Sequence, residues 1–194
     1  EREAGYREEE PLGGHDPYSA SKACAEIITS SYRRSFALPV ASARAGNVIG
    51  GGDWAEDRLL PDMMRAFSNG DEVSIRNPGS TRPWQHVLEP LSGYLRLAER
   101  LYADPEFAEA WNFGPDDDDA KPVAWLADRV TELWGPGASW AQEANQEQPH
   151  EAGFLRLNCD KSKQQLGWQP RTRIEDALQW TVDWYQRYQR GEDM

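Results

Sequence analysis

The chain has 194 residues and a formal net charge of −12, with a sequence pI of about 4.7 and a mean hydropathy of −0.81. An acidic surface of this kind repels nucleic acid and anionic membranes, and no apolar run approaches the length of a membrane-spanning helix. The two cysteines, Cys24 and Cys159, lie far apart without metal spacing, so neither a disulfide framework nor a zinc site is expected, and a reducing, cytoplasmic location is the default.

The first residues, EREAGYREEEPLGG, read as an acidic loop with no initiator Met, cut into rather than begun. The chain is therefore expected to be the C-terminal part of something longer. Asp16-Pro17 is a helix-start signal, a capping carboxylate followed by proline in the first turn. No Gly or Pro interrupts from there to about Phe36, and Cys24, Ile27, Ile28 and Phe36 recur at roughly helical spacing. PVASARAGNVIG then predicts a short strand running into a glycine-rich loop, Gly46 to Gly52. Residues 58–70 predict a helix stopped at Asn69-Gly70, residues 72–76 a strand followed by the turn NPGS, and residues 86–104 a long helix with Leu91, Leu95, Ala98, Leu101 and Tyr102 on one face. A strand at 110–114, a solvated loop PDDDDAKP, a helix at 123–135, a strand at 154–158, a short helix closed at Gly167 and a terminal amphipathic helix complete the order. Helices alternate with isolated short strands, which argues for α/β or α+β layers and against a helical bundle or an all-β fold. No composition break marks an internal domain boundary, and most of the nine tryptophans are expected in the core.

Two chemistries compete within HDPYSASKACAE, residues 15–26. Tyr18 and Lys22 are four apart on the predicted helix and share one face. An ammonium held beside a phenol stabilises the phenolate, which can take a proton from a sugar hydroxyl as hydride leaves the adjacent carbon. Alone, that spacing also fits an ordinary helix surface. Ser19 and Lys22 form the S-x-x-K spacing of a serine acyl-transferase, but the S-D-N and K-T-G elements of such enzymes are absent from the sequence. GGGDWA at 50–55 formally matches a dinucleotide-binding fingerprint. Asp53, Glu56 and Asp57 would repel phosphate there, and Pro61 is expected to interrupt the helix that the motif must open.

DPYSASKACAE, ARAGNVIGGGDWAEDRLLPD, SIRNPGSTRPWQHVLEPLSGYL, WNFGP and LRLNCDKSKQQLGW occur in this order. The set closely resembles the C-terminal part of the CDP-glucose 4,6-dehydratases, a group within the extended short-chain dehydrogenase/reductase superfamily. YSASK and WNFG are shared widely there, whereas GNVIGGGDW and TRPWQHVLEPLSGY are specific to the dehydratases. The resemblance runs from about Tyr6 to the final helix. It implies a partial Rossmann-type fold: the C-terminal part of a parallel sheet with its helices, plus a smaller α/β substrate-binding domain, all within one NAD-dependent epimerase/dehydratase domain. It implies NAD as cofactor and CDP-glucose as substrate, with oxidation at C4, loss of water across C5–C6 and return of hydride to C6. It also implies a homodimer paired through two helices per subunit, one of them carrying Tyr18, with neither nucleic acid nor membrane as partner.

By position, the resemblance makes Tyr18 the catalytic phenol and Lys22 the residue that lowers its pKa and holds the nicotinamide ribose. It places Asn47 at the sugar nucleotide, Ile75 and Arg76 near the nucleoside, Arg82 at the diphosphate, and His150 and Glu151 at the ribose. An arginine suits the diphosphate because its planar fork donates two bonds to phosphate oxygens. Blander readings stand beside these: Asn47 as a turn residue, Arg76 as an exposed strand residue, Arg82 as the partner of an acidic neighbour, His86 as structural, and Trp54, Trp84 and Trp111 as packing. The family's glycine-rich NAD fingerprint, most of its sheet strands and the Ser/Thr that completes its catalytic group belong upstream of Tyr18. The chain alone is therefore expected to bind NAD weakly or not at all, and to be marginally stable or to associate through exposed apolar surface. Another sugar-nucleotide dehydratase or epimerase, and a non-catalytic sugar-nucleotide-binding module, are the alternatives.

Overall fold

A computed structural model describes residues 4–14, 16–143 and 153–193. Helix α1 spans Pro17–Phe36. Its start follows the sequence signal: Asp16 is extended (φ −120°), its carboxylate accepts the Ser19 N–H at 2.9 Å, and Pro17 occupies the first turn. The helix ends at Ala37, which is left-handed with φ 50°.

Strands β1 (Ser42–Ala45) and β2 (Asn47–Ile49) replace the single predicted strand. The chain changes sheets between them at Gly46, whose N–H donates to the Phe113 carbonyl at 3.2 Å. A Cβ there would lie 2.4 Å from the Pro83 carbonyl oxygen, so only glycine fits the crossing. Helix α2 (Leu59–Asn69) ends at left-handed Gly70 (φ 77°). Pro61 does not interrupt α2: it sits in the first turn, where its missing N–H has no intrahelical partner to lose.

Strands β3 (Val73–Ile75) and β4 (Thr81–His86) precede α3 (Leu88–Ala103), and β5 (Ala110–Phe113) follows it. Then come β6 (Ala120–Pro122), α4 (Val123–Trp134), β7 (Trp140–Gln142) and α5 (Ile174–Gln189). The predicted strand at 154–158 is reduced to single bridges, Phe154 to Thr81 and Leu157 to Tyr6. A short helix over 160–166, π-type from Ser162 to Leu166, closes at left-handed Gly167 as expected.

Among the described residues the strands form three small sheets. β1 pairs in parallel with β5 (Ala43 opposite Trp111), as does β3 with β7 (Ser74 opposite Ala141). In the third, β4 lies between parallel β2 (Val48 opposite Gln85) and antiparallel β6 (Arg82 opposite Lys121). Gln85 joins two of these sheets by donating its side-chain amide to the Phe113 carbonyl at 2.9 Å.

Two apolar cores result. The larger gathers α2, α4 and α5 over β2, β3 and β4, with Met63, Met64, Leu126, Val130, Leu178 and Val182 fully buried. The smaller joins α3 and β5 to the 157–168 segment through Leu97, Trp111, Phe113, Leu166 and Trp168. The long helix α3 reverses the expected polarity. It buries Glu89, Pro90, Gly93 and Leu97, while the predicted face shows Leu91, Leu95 and Tyr102 to solvent. The reason is a tertiary contact: Gly93 lets the Phe113 ring come so close that a Cβ would lie 2.3 Å from it. Packing at that seam, rather than the longest leucine stripe, decides the rotation of the helix. Among the described residues, no helix is long and apolar enough to cross a membrane.

Candidate active site

The first two turns of α1 carry the tyrosine and lysine. Tyr18 is 68% exposed, and the Lys22 ammonium lies 5.5 Å from the centre of its ring. Ser19 is engaged elsewhere: its hydroxyl donates to the Asp16 carboxylate at 2.6 Å. That bond, followed by the one from the Ser19 N–H, holds the Asp16 carboxyl below its ordinary pKa. Ser19 thus serves the helix cap, which removes the acyl-transfer geometry.

The proposed nucleotide-binding residues come from other elements. Asn47 opens β2, half-buried, with its Cα opposite Trp84. Ile75 ends β3 and is buried. Arg76 follows it, exposed, at a shallow cleft of about 400 Å³ lined also by Asn77, Ser80, Gln142 and Gly153. The turn from Asn77 to Ser80 leads into β4, where Arg82 is buried and donates to the Thr81 carbonyl at 2.9 Å. Arg76 and Arg82 therefore stand at the two ends of one short connection. His150 and Glu151 lie outside the described residues.

The glycine-rich loop is not a phosphate cradle. A Cβ on Gly51 would fall 2.1 Å from the Trp184 side chain, and α2 begins only at Leu59. Trp184 therefore occupies the space where a ligand would approach the loop backbone. The Tyr185 hydroxyl donates to the Asp53 carbonyl, and burial pushes that phenol up to about 12. Trp54 packs edge-on against Tyr185 at 5.1 Å. The loop is thus clamped by α5, which the sequence signalled only as a terminal amphipathic helix.

His86 is structural. Its Nδ1 accepts the Leu88 N–H at 3.3 Å and its ring meets Trp180 edge-on at 5.3 Å. Burial lowers its pKa, an effect that the nearby Glu89 charge opposes. Glu89, itself buried, accepts from the Arg171 N–H (3.0 Å), the Thr172 N–H (2.8 Å) and the Thr172 hydroxyl (2.5 Å), fixing the approach to α5. Asp119, expected in a solvated loop, is 3% exposed and faces Arg173 at 3.3 Å.

Residues 2–114 match the model of the NAD dependent epimerase/dehydratase family. The chain belongs to that family. The CDP-glucose 4,6-dehydratase of Salmonella typhimurium is 54% identical over 98% of this chain and 55% of its own length. A dTDP-glucose 4,6-dehydratase of Streptomyces niveus is 25% identical over 94% of this chain and 52% of its own length. The chain thus spans about half the length of these relatives. Among solved structures, the Bacillus anthracis dTDP-glucose 4,6-dehydratase in complex with NAD superimposes with a TM-score of 0.77 at 23% identity, covering 97% of this chain and 57% of that one. A UDP-glucose 4-epimerase from Thermotoga maritima gives 0.80 at 21% identity, covering 94% and 57%. The α/β fold with parallel sheets is therefore that of the epimerase/dehydratase family, in part.

The residues in hand fit one end of the family's cofactor. An exposed phenol and ammonium on one helix face suit a ribose and a reacting carbon. Among the described residues no glycine-rich turn opens a helix toward a pyrophosphate, because the one formal candidate is filled by Trp184.

Proposed function

We propose that the protein carrying this chain is an NAD-dependent CDP-glucose 4,6-dehydratase, producing CDP-4-keto-6-deoxyglucose. The observation that carries this reading is the 54% identity to the Salmonella enzyme across 98% of the chain. The Tyr18/Lys22 pair on α1 adds the chemistry. Tyr18 takes the proton of the sugar 4-hydroxyl, and Lys22 holds positive charge beside the phenolate and hydrogen-bonds the nicotinamide ribose. NAD, when bound beside this pair, would supply the hydride acceptor for C4 and the hydride donor for C6. The C4 ketone acidifies the C5 proton, so that proton and the 6-hydroxyl leave together as water. Asn47 contacts the sugar nucleotide, Ile75 and Arg76 the nucleoside, Arg82 the diphosphate, and His150 and Glu151 the ribose. Arg82, held in β4, is the kind of local cation that a diphosphate needs on a chain of net charge −12.

The complete enzyme is read as a homodimer. The outer face of α1, with Ile27, Ile28 and Tyr32 exposed, supplies apolar surface for pairing. A cytoplasmic setting agrees with the two free cysteines.

The test uses the complete open reading frame that encodes this chain, assayed with CDP-, dTDP- and GDP-glucose in the presence of NAD. A 4-keto-6-deoxy product from CDP-glucose in clear preference is the expected result. Preference for another nucleotide shifts the reading to a related dehydratase, and binding without turnover shifts it to a binding module. Tyr18→Phe abolishes turnover and leaves sugar-nucleotide binding nearly intact; unchanged turnover would sink the assignment of Tyr18.

A further inference from the structure

We infer that Glu26 and Arg44 are positioning residues for the tyrosine–lysine pair, fixing the rotation of α1 about its own axis; this rests on the catalytic reading of Tyr18 and Lys22 above. Tyr18, Lys22 and Glu26 stand at i, i+4 and i+8. Each step of four advances about 6 Å and turns about 40°, so the three make one slowly winding stripe. Only Ala23 of the twenty residues in α1 is buried. Apolar packing within this chain therefore does little to set the orientation of the helix.

Arg44 does set it. Its Nε donates to both Glu26 carboxylate oxygens, at 2.8 and 3.1 Å, and its Nη2 makes a further bond to Oε1. This is a planar fork against a planar carboxylate, a geometry that fixes direction as well as distance. The pair is largely shielded, with 22% of the arginine side chain and 17% of the glutamate side chain exposed.

The arginine is itself held from two further sides. Arg44 lies in β1 with its Cα opposite Asn112 of β5. Its remaining N–H groups donate to the carbonyls of Glu8 (3.2 Å) and Arg7 (3.5 Å). That segment is anchored in turn: the Glu8 carboxylate accepts the Asn112 N–H at 2.8 Å, and the Tyr6 carbonyl accepts from the Asn112 side chain at 2.9 Å. Glu26 is thus tied to a rigid sheet edge, while Tyr18, two turns away, has no comparable tether of its own. A rotation of about 10° moves a group ~6 Å from the helix axis by about 1 Å. A misplacement of that size costs on the order of 10²-fold in rate.

Two variants of the complete protein test this. Glu26→Gln keeps the shape and removes the charge, and Arg44→Lys keeps the charge and removes the fork. Each is expected to lower kcat by about 10- to 100-fold, while CDP-glucose affinity by calorimetry stays within about twofold and the thermal midpoint with bound nucleotide sugar is little changed. Amide hydrogen exchange should rise along α1 and not along α5. Unchanged kcat in both variants overturns the inference, as does a parallel loss of kcat, affinity and thermal midpoint, which marks a merely structural ion pair. If Tyr18→Phe itself leaves turnover intact, the catalytic reading fails and takes this inference with it. If Tyr18→Phe is inactive and Glu26→Gln is fully active, only the positioning role fails.

Discussion

Helices α1 and α5 are similar in length and amphipathic character, yet they are held in opposite ways. Of the sixteen residues in α5, six are buried: Ile174, Ala177, Leu178, Thr181, Val182 and Tyr185. Of the twenty in α1, one is. Within this chain, which spans about half the length of its relatives, α5 is fastened by area, and α1 by a cap at one end and an ion-pair fork in the middle. The difference separates two kinds of determinant. Burial is spread over many contacts and tolerates no single large deletion cheaply. A fork rests on two side chains and fixes direction as well as distance.

The largest expected effect breaks the fastening by area. Leu178→Ala removes a fully buried side chain and should destabilise the chain by about 2–5 kcal/mol, read from denaturant unfolding. A loss below about 1 kcal/mol would mean that the α5 core relaxes freely. The next effect strikes the cap. Asp16→Ala should cost about 1 kcal/mol and fray the first turn of α1, seen as faster amide exchange from Ser19 to Lys22 with α5 unchanged.

Smaller again is the titration of His86 against α5. Its folded pKa is lowered by burial, so the unfolded chain binds the proton more readily. The His86 contribution is therefore complete above the unfolded value of about 6.5 and is lost as pH falls through that value toward the folded one. Wild type should lose stability between pH 7.5 and 5.5, relative to a His86→Gln variant. Parallel pH curves for the two proteins would show that the ring titrates as freely as in the unfolded chain.

The smallest effect sharpens the contrast. Ile27→Ser on the outer face of α1 replaces a 56% exposed side chain and should change the stability of this chain by under about 0.5 kcal/mol. A larger loss would reveal apolar cover that the chain's own contacts do not provide.

Much of this was legible in sequence because its causes are local. Asp16-Pro17, Gly70 and Gly167 mark helix ends through backbone conformations that neighbouring residues cannot alter, and α1, α2, α4 and α5 lie where they were expected. Most of the errors came where a distant partner decides. α3 turns its leucine stripe outward because Gly93 admits Phe113. Pro61 reads as a breaker but falls in a first turn. Asp119 belongs to an acidic run, yet it is enclosed beside Arg173. At the site, the tyrosine–lysine spacing was visible because both residues share one helix. The Arg44 fork was not, because its eighteen-residue separation from Glu26 carries no periodic signal. The clamp on the glycine-rich loop was hidden for the same reason, with more than a hundred residues between Asp53 and Tyr185.

That clamp has an optical consequence. Trp54 and Trp184 approach to 6.3 Å between ring centres, and Trp184 stacks on Tyr188 at 5.4 Å. Rings at such spacing couple their electronic transitions, so near-ultraviolet circular dichroism should contain a signature of the loop seated on the last helix. The molecule thus has a built-in chromophore that reports, without any added label, whether the turn after β2 is docked or released.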